Sequence, residues 1–331
     1  MHPKLRAWAQ LVRVPNTLTS CADVLAGFVL AVGIGWQFES VGPPMLVISL
    51  ASICLYWAGM VLNDVHDIEE DKAQRRNGPL VRGLIALSTA RIAGWGLLFA
   101  GILLATVSAY LLPDSGETRP YWIVGVNAVL LAVLIVAYDS SLKATAVGPL
   151  LMGLCRGFNM LLGVSLGACL NVSGDSLQML PVTGSLDWPS ICLASIGHVC
   201  FVTGITLAAR REGMLNQSSF RLGMSWGVSI LGVASIAACS VWSTDRVLRL
   251  DPNVWFPMFV AMLAMPWLRR AIASIRSPGI GTLVPAIKQA ILSIIFLDAA
   301  IAFQFGGLLP GVLICGLAVP TFALSRLFRV T

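Results

Sequence analysis

Asn63-Asp64-Val65-His66-Asp67-Ile68-Glu69-Glu70-Asp71 closes one long apolar stretch and precedes another. An α-helix turns by roughly 100° per residue, so positions 64, 67 and 71 fall on one face, with Asn63 one turn before Asp67. Acids in such a row repel one another, and the row makes sense if a multivalent cation holds it together. Oxygen donors without His or Cys partners favour Mg²⁺ over Zn²⁺. Mg²⁺ in turn typically brings phosphate oxygens with it, which points to a Mg-diphosphate ligand. Glu69 and Glu70 lie off the face or at its edge, and His66 reads as a surface residue.

The stretches on either side decide the fold class. The 331-residue chain is 57% hydrophobic and 11% charged, with a mean hydropathy of +0.83, which excludes an ordinary soluble domain. Apolar runs able to cross a hydrocarbon core of ~30 Å fall near 18–36, 44–62, 92–112, 121–137, 146–170, 190–209 and 222–242. Three more, near 254–268, 289–305 and 307–325, are shorter or abut one another. The expectation is an all-α, polytopic transmembrane bundle of nine or ten helices around a central cavity, forming a single domain over residues 1–331.

The net charge of +6 carries no nucleic-acid signal, because the basic residues alternate between successive loops. With ten spans, the amino end and every second segment hold 18 of the 22 Lys and Arg, the opposite loops hold 3, and Arg156 lies inside a span. The positive-inside rule then puts both termini and the acidic row on the cytoplasmic side, of the inner membrane if the cell is bacterial. The eight cysteines all fall in spans without a C-x-x-C pair, so they suggest packing and neither a disulfide nor a zinc site. The first apolar run lacks a small-residue cleavage site and reads as a retained helix.

Other polar groups gather at the same inner face. Tyr138-Asp139-Ser140-Ser141-Leu142-Lys143 ends the fourth span, where Tyr138 and Lys143 are natural phosphate donors. Arg75, Arg76 and Lys143 would neutralise phosphate charge, Arg in bidentate fashion and Lys as a point charge. Arg13-Val14-Pro15-Asn16-Thr17 precedes the first span and would bring Arg13 and Asn16 to the same mouth. Asp23, Arg156, Asn159 and Asp298 lie within spans, where ionisable groups usually face a cavity or a partner. Arg156 is expected to pair with a carboxylate, either Asp23 or Asp298. Tyr56, Trp57 and Phe158 are aromatic candidates for facing a substrate cation.

These residues together resemble the UbiA superfamily of intramembrane prenyltransferases. Asn63, Asp64, Asp67 and Asp71 match its N-D-x-x-D-x-x-x-D motif, after the second helix as in the family. Arg13 with Pro15-Asn16, and Tyr138 with Leu142-Lys143, stand in family-like places. The resemblance implies an enzyme that transfers an isoprenyl group from a prenyl diphosphate to a lipid or small-molecule acceptor, using Mg²⁺ and surrounded by membrane lipids. Asn63, Asp64, Asp67 and Asp71 would bind the metal, the three acids being the catalytic set. Arg13, Asn16, Asn63, Arg75, Tyr138, Lys143, Arg156, Asn159, Arg210 and Arg211 would bind substrate.

One departure bears on mechanism. The family's second aspartate motif should close the sixth span, yet this chain has Thr206, Arg210, Arg211 and Glu212 there and no Asp between 188 and 244. The expectation is that Arg210 or Arg211 replaces a metal by direct diphosphate contact, with Glu212 orienting the Arg. The Thr206–Glu212 run resembles the EboC-like branch of the superfamily. Gly78-Pro79-Leu80 also stands where the family often carries R-P-I, with Arg82 as a nearby substitute. Two other classes remain open: a non-catalytic prenyl-diphosphate or lipid-binding protein, and a secondary transporter built on Asp23, Arg156 and Asp298.

Overall fold

The computed structural model describes residues 3–34, 38–74, 77–113, 119–171, 186–210, 218–243 and 246–327. Arg75, Arg76, Arg211 and Glu212 lie outside the described residues. In chain order the helices are α1 (Pro3–Leu11), α2 (Val14–Val32), α3 (Phe38–His66), α4 (Ile68–Ala73), α5 (Leu87–Tyr110), α6 (Trp122–Asp139) and α7 (Gly148–Asn171). They continue with α8 (Trp188–Ala209), α9 (Ser219–Ala238), α10 (Trp255–Arg276), α11 (Ile280–Gly306), α12 (Leu308–Gly316) and α13 (Ala318–Leu327).

Ten stretches among the described residues are long and apolar enough to span a membrane, the last being Leu308–Leu327, made of α12 and α13 together. The chain is a multi-pass, all-helical membrane protein, as its hydropathy requires. Gly307 permits the break before the last span: its φ of 96° lies where residues with a side chain are strained, while its amide still donates to the Phe303 carbonyl.

Helix α2 forms the centre of the bundle. Its span is 78% buried, against 28% for α10 and 22% for the last span. It packs against α3, α7 and α11, which explains why a membrane helix tolerates Thr17, Thr19, Ser20 and Asp23, all buried and facing other helices rather than lipid. The sequence places Val14 to Thr17 ahead of this helix, yet they form its first turn, because Pro15 at the helix start has no amide that would need a helical acceptor.

Small residues set the α2–α7 approach. A methyl group added to Gly27 would strike the Met160 carbonyl, and one added to Gly163 would strike the Val24 carbonyl and the Phe28 amide. Gly163→Val is therefore expected to lower stability in detergent by at least the ~1–3 kcal/mol typical of overpacking. Gly227→Ala, where nothing lies within 4 Å, is expected to leave the thermal midpoint near wild type. Equal midpoints for the two variants would contradict this packing.

Candidate functional site

The acidic row is held by a helix that bends without losing its phase. Helix α3 ends at His66 and α4 begins at Ile68, with Asp67 between them. Backbone bonds from the Asp67 amide to the Asn63 carbonyl (3.0 Å) and from Asp71 to Asp67 (2.8 Å) carry the winding across the break. Asp64, Asp67 and Asp71 are accordingly half-buried, while His66, Glu69 and Glu70 are exposed. Glu69 pairs with Lys72 at 2.9 Å and Glu70 accepts from Gln74 at 2.8 Å. Both glutamates are thus occupied away from the row.

Cationic groups from two other segments meet the row. Lys143, on the 3₁₀ turn Ser141–Ala144 after α6, donates to Asn63 Oδ1 at 2.8 Å and forms an ion pair with Asp67 Oδ2. The Asn63 amide also donates to Asp67 at 3.2 Å, so one Asn orients both the acid and the lysine. Arg13 reaches Asp64 at 3.6 Å. Its φ of 51° makes it the one non-glycine residue with positive φ among those described, a conformation that costs roughly 1–2 kcal/mol and fixes the corner between α1 and α2.

Arg210 takes a different place from the one its sequence position suggested. Its guanidinium donates to the backbone carbonyls of Lys143 and of Thr145, the latter at 2.8 Å. It braces the turn that presents Lys143 and does not line the cavity described next. Arg82 likewise donates to Gln10 at 3.1 Å, tying its loop to α1 and leaving the missing R-P-I contact unreplaced from there.

Beneath the row lies a cavity of about 340 Å³ with a largely apolar lining. Arg13, Asn16, Tyr138, Asp139 and Thr206 line it, with Tyr56, Arg156 and Asn159 also on its walls. Arg156 pairs with Asp23 at 2.8 Å and donates to Thr19 at 2.8 Å, which settles the choice between the two carboxylates. Asn159 donates to Asp23 at 3.0 Å and accepts from Ser52 at 2.7 Å. Asp298 takes His198 instead, at 2.8 Å.

Of the three aromatic candidates, Tyr56 alone lines the cavity, with its ring centroid 5.9 Å from the Arg156 guanidinium. Trp57 turns its indole onto Thr17 Oγ1 at 2.8 Å, and Phe158 packs against the hydrophobic core. Residues adjacent in a helix point about 100° apart, so Tyr56 and Trp57 cannot both face inward.

Two residues escaped the sequence reading. Asp139, last in α6, is 4% exposed, lines the cavity, and keeps Oδ2 without a hydrogen-bond partner. The charged groups acting on it are Lys143, Asp67, Arg13 and Asp64. Its signal was its place beside Tyr138, which a phosphate-donor search passed over because a carboxylate is not a donor. His198 is buried in α8, and the rule that flagged Asp298 as an intramembrane ionisable group applies equally to it.

The donors at the mouth suit a hard divalent cation: they are carboxylate and amide oxygens, and the Lys143 ammonium already lies between the Asn63 and Asp67 oxygens. Comparison with known proteins agrees with this arrangement. A stretch of 140 residues is 33% identical to digeranylgeranylglyceryl phosphate synthase of Sulfolobus acidocaldarius, covering 42% of this chain and 44% of that protein. The chain thus spans about half the length of the curated relatives it matches.

The fold matches a UbiA homolog from Aeropyrum pernix K1 (TM-score 0.61, 18% identity, 86% of this chain and 96% of that one). It also matches a UbiA homolog from Archaeoglobus fulgidus solved with GPP and Mg²⁺ (TM-score 0.58, 12% identity, 89% and 99%). The model of the UbiA prenyltransferase family matches residues 24–278, most of the chain, and the chain belongs to that family.

Proposed function

We propose that the protein transfers an isoprenyl group from a prenyl diphosphate to an acceptor within the membrane, with Mg²⁺ held by Asn63, Asp64, Asp67 and Asp71. The observation that carries this reading is the stacking of a cation-binding rim directly on an apolar-walled cavity. The diphosphate would sit at the rim and the prenyl tail along Leu55, Leu131, Ile135 and Ile291. The curated relatives make digeranylgeranylglyceryl phosphate, which makes a glycerophosphate lipid hydroxyl the first acceptor to test. The 18-to-3 distribution of basic residues supports a rim on the cytoplasmic face.

In the reaction the allylic C–O bond breaks, its electron pair leaves with diphosphate, and the acceptor atom bonds to the allylic carbon and gives up a proton. Bound Mg²⁺ supplies neutralisation of the charge on the departing diphosphate. Lys143 and Arg13, already at the rim, add positive charge there. The Tyr56 ring, on the cavity wall, offers an electron-rich face to the allylic cation, an attraction of ~2 kcal/mol when desolvated. The apolar wall keeps water from competing with the acceptor.

The test is direct. Purified protein given Mg²⁺, labelled prenyl diphosphates and a lipid extract is expected to label a lipid and release diphosphate. Mg²⁺-dependent binding without turnover in any extract would favour a non-catalytic lipid-binding protein instead. Arg210→Ala is expected to weaken diphosphate binding by about 10-fold, the usual effect of losing an outer positioning group, with the Mg²⁺ requirement unchanged. Wild-type binding in that variant would remove Arg210 from the site.

A further inference from the structure

Asp23 on α2, His198 on α8 and Asp298 on α11 meet at the centre of the bundle, each at most 1% exposed. One ligand atom from each lies within 4.8 Å of the others. Prenyl transfer at the rim gives this group no task, and the cluster stands whether or not that reading holds.

Its hydrogen bonds leave an unusual remainder. His198 Nδ1 faces the Ala194 carbonyl at 2.9 Å, an oxygen that only accepts, so Nδ1 carries a proton. Nε2 faces Asp298 Oδ1 at 2.8 Å. The Asp298 carboxyl also lies near that of Asp23, with an oxygen of each within 4.8 Å of the other. Arg156 and Asn159 both donate to Asp23 Oδ2, at 2.8 and 3.0 Å, while Asp23 Oδ1 and Asp298 Oδ2 are buried without a hydrogen-bond partner. Two carboxylate oxygens without a donor and, when the ring is neutral, the Nε2 lone pair therefore face one another.

Something positive must lie between them. With the Arg156 guanidinium beside Asp23, the two carboxylates leave one net negative charge, which a proton on Nε2, or a metal ion that displaces that proton, would offset. The imidazole favours the cation. A ring whose far N–H is fixed to a backbone carbonyl, with its other nitrogen aimed at carboxylates, is the arrangement that metal-ligating histidines adopt. One nitrogen and two carboxylate oxygens suit a borderline ion such as Zn²⁺ and not Mg²⁺. Arg156 and Asn159, which contact Asp23, line the cavity, so the cluster lies one layer behind its wall.

We propose that Asp23, His198 and Asp298 form a buried transition-metal site, of the Zn²⁺ class, that ties α2, α8 and α11 together beneath the cavity. It is separate from the all-oxygen rim and differs from it in ligand chemistry. The cysteines have no part in it.

The experiment uses full-length protein stripped of metal by chelation and dialysed against Zn²⁺ in excess Mg²⁺, which saturates the rim. A single zinc ion per chain is expected, with a rise in thermal midpoint. His198→Gln should lose affinity on the order of 100-fold or more, whereas Asp67→Asn should not. The chain's other histidines are His2 and His66. A His2→Gln/His66→Gln variant, which leaves His198 as the sole imidazole, should retain zinc and show nitrogen and oxygen neighbours by X-ray absorption. This second measurement decides the question if His198→Gln fails to fold. Absence of zinc uptake, a sulfur shell, or loss of zinc in the double variant would each overturn the proposal, leaving the three groups bridged by protons.

Discussion

Asp67→Asn is expected to abolish Mg²⁺-dependent binding of a prenyl diphosphate and to lower prenyl transfer by about 10²–10³, the scale seen when a fixed charge-stabilising group is removed. Asp67 is the hub of the rim. Its Oδ2 takes both the Asn63 amide at 3.2 Å and the Lys143 ammonium, and its backbone joins α3 to α4. The amide replacement keeps the shape but loses the negative charge that makes the oxygen a good Mg²⁺ ligand and ion-pair partner. The amide can still turn its oxygen to Lys143, but an ion pair becomes a neutral hydrogen bond, so the lysine is held less firmly where phosphate would meet it. Glu70→Gln is the control, since Glu70 is exposed and bonded to Gln74; it should behave as wild type. Manganese binding followed by electron paramagnetic resonance, with and without diphosphate, separates loss of metal from loss of turnover. Unchanged binding in Asp67→Asn would take the acidic row out of the mechanism.

The rim was legible in the sequence because helical periodicity is local. Asp64, Asp67 and Asp71 share a face whether the helix is straight or bends at Asp67, since the backbone bonds across the bend preserve the phase. Hydropathy, a property each segment carries alone, likewise gave nine or ten spans, and the structure has ten candidates among the described residues. What could not be read was partner choice across the bundle. Arg156 had two equally placed carboxylates in the sequence, and only the packing of α2 against α7 selects Asp23 over Asp298. Arg210 was assigned to phosphate from its charge and family position. In three dimensions the 3₁₀ turn after α6 folds its carbonyls onto that guanidinium. Asp139 was hidden beside a phosphate donor because a carboxylate does not donate, and His198 stood under the same rule as Asp298; the partners of both show only when the facing helices are known.

Asp139→Asn is the second large effect expected, and it addresses how the site works without an aspartate motif on α8. Thr206 lines the cavity at the end of α8, where the family's acid would stand. Asp139 also lines the cavity, from the end of α6, with a buried carboxylate oxygen that no donor satisfies. A charged oxygen in such a place is costly unless a cation meets it, and Lys143, the strongest charge acting on it, is also claimed by Asp67 and Asn63. Were Lys143 to turn to the diphosphate oxygens, Asp67 and Asp139 would be left free to hold Mg²⁺, which would supply the compensating positive charge. On this account the second acid has moved from α8 to α6. Asp139→Asn should then lower turnover by about 10², within the range for loss of one electrostatic contact, and shift half-saturation by Mg²⁺ to higher concentration. It should also weaken Mn²⁺ binding in the presence of an unreactive diphosphate analogue, and returning an acid to α8 by adding Thr206→Asp should recover part of that binding. An Asp139→Asn protein with wild-type Mg²⁺ dependence would show that the α6 carboxylate serves only to hold Lys143 in place.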